Sequence, residues 1–193
     1  MKTLTKTKKI MIAIALIIAT TLIILAILGT KKIHVEKELL INKTSDEVWN
    51  VMGLQFGQVH LWSSNFSDSK PGGEKKFDGI EYSERITTTE RGETIQVLDK
   101  FDSESHSLSY HITIGMPGIA KSASGAWSLK RNANNETMLI IAFDMEVKNL
   151  VGYLLSPIIK TKIAKSAQEI AEELKHYVEN GQAHPRKASK GIE

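Results

Sequence analysis

The 193-residue chain contains no cysteine. That excludes disulfide staples, thiolate metal sites, cysteine nucleophiles and anchoring through a lipidated N-terminal cysteine. It leaves the redox compartment open. Acidic residues are missing from the first 33 positions, which hold six lysines (Lys2, Lys6, Lys8, Lys9, Lys31 and Lys32). The remainder then carries 19 basic and 22 acidic residues, a net of 3 negative. The pI of about 8.9 therefore belongs to the N-terminal segment. A nucleic-acid surface needs clustered Lys and Arg on the folded part, so none is expected. No repeat and no low-complexity segment is present. The hydrophobic content of 41% and charged content of 24% are those of a globular protein. The length allows one domain of roughly 150 residues plus extras.

One long apolar run is present. Residues 10–28 read IMIAIALIIATTLIILAIL, with no charge and only Thr20 and Thr21 polar. At ~1.5 Å per residue they make about 28 Å of helix, close to the hydrocarbon thickness of a bilayer. A threonine hydroxyl bonds back to its own helix, so the pair does not break the span. A cleaved signal peptide has a shorter apolar region and small residues before its cleavage site. The exit AILGTKK offers no such site, so an uncleaved anchor is expected. Four lysines precede the span and two follow it. This excess predicts a single-pass protein of the cytoplasmic membrane, its N-terminus (residues 1–9, basic) in the cytoplasm and its domain outside.

The domain begins with IHVEKELLI, where Ile33, Val35, Leu39 and Ile41 alternate as in a strand. In INKTSDEVWNVM, Thr44 followed three residues later by Glu47 fits a capping box, and Val48, Trp49, Val51 and Met52 follow at helical spacing. A short helix or turn through QFGQVHLW leads to Trp62, and SDSKPGGEKKFDG reads as a hairpin loop. From Ile80 onward, five strands joined by short turns, among them MPGIA and the polar connection NANNE, predict an antiparallel meander. The last element is a helix. Ser156 and Pro157 suit its N-cap and first position. Ile163, Ala167, Ile170, Ala171, Leu174, Tyr177 and Val178 share one face, while Lys162, Lys165, Glu169, Glu172 and Glu173 lie opposite. Gly181 is placed to end it. Residues 181–193 are expected to be disordered. Strand, short helices, antiparallel strands and a long closing helix predict an α+β fold, a curved sheet around the C-terminal helix, preceded by one transmembrane helix.

This order, over residues 33–180, resembles the helix-grip superfamily. It includes the START lipid-transfer domains, the birch-pollen-allergen-like proteins and the polyketide cyclase/dehydrase group (SRPBCC). INKTSDEVW is similar to the family's first-strand signature, with Ile41, Glu47, Val48 and Trp49 corresponding and Lys43-Thr44 standing where Ala-Pro is usual. Trp62 corresponds to a second tryptophan, and Asp99, Tyr110, Trp127 and Phe143 to landmarks in the strands. The resemblance implies a cavity between sheet and helix. Members bind sterols, lipids, polyketides or hormones, and a minority catalyse cyclisation, dehydration or hydrolysis.

Such a cavity is mostly apolar with a few placed polar groups. Its candidate lining is Trp62, Tyr82, Tyr110, Met116, Trp127 and Phe143, with Ile170 and Leu174 from the helix. Plain core packing competes for each of them. Tyr110 and Trp127 carry polar tips that need partners when buried. On the strand SERIT, either Tyr82 and Glu84 or Ser83 and Arg85 look inward, since neighbours face opposite sides. The charges there are expected on a solvated outer face. Six histidines show no metal-type spacing, so no metal and no cofactor is expected. Three readings follow: a membrane-anchored domain binding a hydrophobic or amphipathic, lipid-like small molecule; a polyketide cyclase/dehydrase-like enzyme, which needs an ionisable residue in the cavity; and a protein-interaction module like the co-chaperone relatives, which needs an exposed apolar patch.

Overall fold

The structure, a computed structural model, describes residues 5–28, 30–132 and 136–190. Helix α1 (Lys6–Leu28) is long and apolar enough to cross a membrane, and its side chains from Ile10 to Ile24 are exposed. The hydroxyls of Thr20 and Thr21 donate to the carbonyls of Leu16 (2.8 Å) and Ile17 (2.9 Å), so neither interrupts the helix. Strand β1 (Thr30–Ile41) starts just after it.

The capping box forms as expected. Glu47 N donates to Thr44 Oγ1 (3.3 Å), and Thr44 N donates to Glu47 Oε2 (2.9 Å). It opens α2 (Ser45–Trp49), which continues into a π turn (Asn50–Leu54) and a 3-10 segment (Phe56–Leu61). Val48, Trp49 and Met52 turn into the core. Trp49 stacks obliquely on Phe101 at 5.0 Å and donates to Ser103 Oγ (3.4 Å), a structural role.

Seven strands, β1 followed by β2 (Asp68–Gly72), β3 (Glu84–Thr89), β4 (Gly92–Asp102), β5 (Ser107–Ile114), β6 (Ala120–Arg131) and β7 (Thr137–Lys148), form one antiparallel sheet in the order β1-β7-β6-β5-β4-β3-β2. The five expected strands are β3 to β7. The stretch expected as a hairpin loop instead contains the edge strand β2, paired with β3. Ser69 anchors it, accepting from His60 N (3.0 Å) and donating to the Gly57 carbonyl (3.0 Å). Pro71 is tolerated because an edge strand leaves one row of amides unpaired. Register shifts on β4 beside Asp99 and between Ile95 and Gln96 help bend the sheet. The NANNE connection lies partly outside the described residues; across it Asn132 N donates to Glu136 O (3.0 Å).

The closing helix α3 runs Asn149–Asn180 and packs on β1 and β7. It begins well before Ser156-Pro157, so that pair is interior and not a cap. Pro157 has no N–H for the Tyr153 carbonyl, and the Ser156 hydroxyl donates to that oxygen instead (2.8 Å). The helix ends as expected at Gly181, whose φ of 72° suits a residue without Cβ. Glu173, assigned from spacing to the solvent face, is 0% exposed. Its Oε2 accepts from Ser64 N (2.8 Å), and its Oε1 accepts from Ser64 Oγ (2.6 Å) and Arg186 Nη1 (3.1 Å). Arg186 belongs to α4 (Pro185–Lys190), a short helix where disorder was expected. It is held down by Arg186 Nη2 on Glu172 (2.8 Å) and by Lys187 Nζ on the Phe66 carbonyl (2.6 Å). Residues 191–193 lie outside the described residues.

Candidate functional site

Between the sheet and α3 lies a cluster of buried side chains. Trp62, Tyr110, Trp127, Ile170 and Leu174 are buried in one cluster, as five of the eight candidates should be for an inward-facing set. Phe143 and Tyr82 are half-buried at its margin. Tyr82 is a brace: its hydroxyl accepts from Gly57 N (2.7 Å) and donates to the Leu54 carbonyl (3.3 Å). Met116 lies half-buried in the β5–β6 loop, apart from the cluster.

On β3 and the residue before it, the inward set is Ser83, Arg85 and Thr87, all buried. Arg85 is thus not on a solvated face but 1% exposed at the centre of the molecule. Its Nε (3.1 Å) and Nη2 both donate to Gln96 Oε1 on β4, and Nη1 donates to the Phe56 carbonyl (3.1 Å). The guanidinium carbon lies 3.9 Å from the Phe56 ring centre, 5.3 Å from Tyr110, 5.6 Å from Trp127 and 5.7 Å from Phe66. These distances are those of cation–π contacts, which strengthen on desolvation. Tyr110 fits beside it because β6 has Gly125 opposite, where a Cβ would stand 2.6 Å from the tyrosine oxygen. Burial lowers the Arg85 pKa to about 10, while Tyr110 and Tyr82 pull it back up. The side chain is charged at neutral pH.

What Arg85 lacks is an anion. Among the described residues no carboxylate pairs with it; its acceptors are the Gln96 amide oxygen, the Phe56 carbonyl and the Tyr110 hydroxyl, all uncharged. Two neighbours share the deficit. The indole Nε1 atoms of Trp62 and Trp127, rings 6.2 Å apart, are buried with no acceptor among the described residues. Each unmade bond costs roughly 1–3 kcal/mol, and more where charge is involved. The one buried carboxylate among the described residues, Glu173 of α3, is engaged by Ser64 and Arg186. The site therefore holds a charged donor without a carboxylate, two unpaired indole N–H groups and an unpaired Ser83 hydroxyl.

Phe56, Phe66 and Gln96 were not among the residues expected here, and an inward Arg85 was one of two open alternatives on its strand. The alternation Ser83-Arg85-Thr87 is polar on the buried face, so hydropathy could not identify that face. Phe56 and Phe66 flank an irregular segment without a period to read. Two surface hollows, of about 630 Å³ beside Thr44, Glu47 and Glu179 and about 270 Å³ beside Lys32, Ser122 and Asp144, are lined by none of the candidates. Among the described residues no group of three His, Asp or Glu side chains is placed to hold a metal ion.

A curved antiparallel sheet closed by a long C-terminal helix defines the START-like helix-grip fold. Solved structures share it. A START superfamily protein from Mycobacterium smegmatis aligns with a TM-score of 0.63 at 14% identity, over 78% of this chain and 99% of that one. Norcoclaurine synthase from Thalictrum flavum, in complex with dopamine and hydroxybenzaldehyde, aligns with a TM-score of 0.62 at 15% identity, over 83% and 94%. The protein XoxI from Bacillus cereus aligns with a TM-score of 0.61 at 16% identity, over 79% and 99%. No family model matches the sequence, and no curated protein matches it. At these identities the likeness establishes the fold.

Proposed function

We propose that residues 33–180 form a small-molecule-binding domain, held at the membrane by α1, whose ligand is amphipathic and carries an acidic head. The observation behind this reading is Arg85 without a carboxylate, with the Trp127 ring against it and unpaired indole N–H groups on Trp127 and on Trp62, which packs on Trp127. A carboxylate or phosphate head would accept from these donors, and the surrounding rings would cover an apolar tail. Because buried side chains cluster there, uptake requires part of the wall to yield. The segment from Asn50 to Phe66 suits this role, being built of a π turn, a 3-10 turn broken at Gln58, and loop.

The fold's other members in the comparison lend general support, one being named for the START superfamily and one being a synthase with aromatic ligands bound. An enzymatic reading needs a group that trades protons. The side chains in contact with Arg85 offer Tyr110, whose pKa burial raises, and no imidazole or carboxylate. Binding is the better-supported function.

The test is to purify the full chain in detergent, extract it with organic solvent and identify co-purified small molecules by mass spectrometry. An acidic amphiphile is expected from the wild type and should be depleted in Arg85→Met. Recovery of nothing, or equal recovery from both proteins, would contradict the reading.

A further inference from the structure

The first turns of α3 expose a surface that neither the core nor the ligand reading uses. Val151 (56% exposed), Leu154 (65%), Leu155 (39%) and Ile158 (56%) recur at steps of three and four, so they form one stripe along the helix. They remain exposed with α1 in place. The opposite face is fixed to the domain: Gly152 and Ser156 are buried, and Gly152 backs onto Val147 and the Ile119 carbonyl. The stripe therefore cannot turn inward. A continuous apolar stripe on an otherwise polar domain marks an interaction surface.

Its position and charge indicate the partner. Lys148, the residue before α3, pairs with Thr30 at the start of β1, and only residue 29 separates Thr30 from the end of α1. Lys31 Nζ lies 5.1 Å from the centre of the Tyr153 ring. The stripe thus sits where the apolar helix leaves the domain. Beyond it come Lys160, Lys162 and Lys165, and residues 147–168 contain no acid. Residues 149–160 make about 18 Å of helix, too short to span a bilayer. An apolar stripe bordered by lysines is the pattern of a helix lying in the plane of an anionic interface.

We propose that α3 from Val151 to Ile158 lies in the headgroup boundary of the bilayer that α1 enters, with Lys160, Lys162 and Lys165 against anionic lipid. This rests on the reading of α1 as a membrane span. It gives the domain two membrane contacts and so a fixed orientation.

The absence of cysteine makes the test direct, since a single introduced thiol reports alone. The full chain is reconstituted in vesicles of phosphatidylcholine and phosphatidylglycerol as Ile17→Cys, Leu154→Cys, Ile158→Cys or Glu38→Cys, each labelled with an environment-sensitive dye. Lipids carrying a quencher on the acyl chain should reduce emission at 17, 154 and 158 and leave 38 unchanged. Without phosphatidylglycerol, quenching at 154 and 158 should weaken. Quenching at 17 with none at 154 and 158 overturns the proposal and leaves the anchor standing. Loss of quenching at 17 overturns the anchor and this proposal with it. A 154–154 disulfide formed by unlabelled Leu154→Cys protein under a mild added oxidant, with no lipid quenching in the labelled protein, assigns the stripe to a second copy, and so also overturns the proposal. Quenching at 154 and 158 that ignores phosphatidylglycerol overturns the role given to the lysines.

Discussion

Burying the Arg85 guanidinium without a carboxylate costs several kcal/mol, of which the Gln96 and Phe56 acceptors and four aromatic faces return a part. Its removal lifts that cost but leaves the Gln96 and Phe56 oxygens without this donor, at roughly 1–3 kcal/mol each, so the two effects offset one another in the ligand-free fold. Arg85→Met is expected to leave the thermal midpoint of delipidated protein unchanged or raised, while abolishing the stabilisation an acidic amphiphile confers on the wild type. A large loss of stability on this substitution would mean that Arg85 is a structural strut. Glu47 makes the opposite kind of contribution. The Thr44 backbone N–H, the Thr44 hydroxyl and Lys43 hold its carboxyl down at about 2, below the ordinary 4.5. A carboxyl with a lowered folded-state pKa adds stability above pH 4.5 and loses it as pH falls towards about 2. Glu47→Gln should flatten the stability profile across that window, as read by urea midpoints at successive pH values. Asp102, held at about 2 chiefly by the Ser105 backbone N–H, should keep its own share of the acid loss in that variant.

At the scale of elements, α3 is fastened at three places. Near its start, Ser156 serves the carbonyl that Pro157 cannot. Ser156→Ala should cost about 1 kcal/mol in the natural background and much less alongside Pro157→Ala, where the new N–H bonds Tyr153 O. A double-mutant cycle by chemical denaturation measures that coupling, and equal costs in both backgrounds would refute the exchange of donors. In its middle, Glu173 ties α3 to the Ser64 segment and to α4. Arg186→Ala leaves that buried carboxylate one donor short and should destabilise by about 2 kcal/mol, less than a fully buried pair because Arg186 is partly exposed. Near its end, Glu179 accepts from Asn42 N (2.7 Å) and Lys175 donates to the Leu40 carbonyl (2.8 Å). Sequence periodicity made the apolar face of α3 legible from Ile163 onward, because there the stripe faces the sheet. It misplaced the helix start, since the exposed stripe at Val151–Ile158 faces away from the core and Ser-Pro imitates a cap. Glu173 was misassigned for a related reason: its partners, Ser64 and Arg186, are 109 and 13 residues away. No local pattern announces such bonds.

For the whole molecule, the sheet order and the closing helix were readable because turns and alternation are local signals. The edge strand β2 was not, because SDSKPG is stabilised by Ser69 bonding across to Gly57 and His60, not by its own apolar pattern. Trp62, Tyr110 and Trp127 lie in the buried cluster, but which of the two alternating sets on SERIT faces inward was open in the sequence, since only tertiary packing shows that Arg85 meets Tyr110 and Trp127. The account places an acidic head among these donors, and the three tryptophans provide the most direct measurement. In a ¹⁵N-labelled sample the indole N–H signals of Trp49, Trp62 and Trp127 are followed as a long-chain fatty acid is added. The Trp62 and Trp127 signals should move downfield on gaining an acceptor, while Trp49, already bonded to Ser103, stays in place and Arg85→Met suppresses the shift. Saturating fatty acid that leaves all three signals unmoved, or moves them equally in Arg85→Met, would contradict the account.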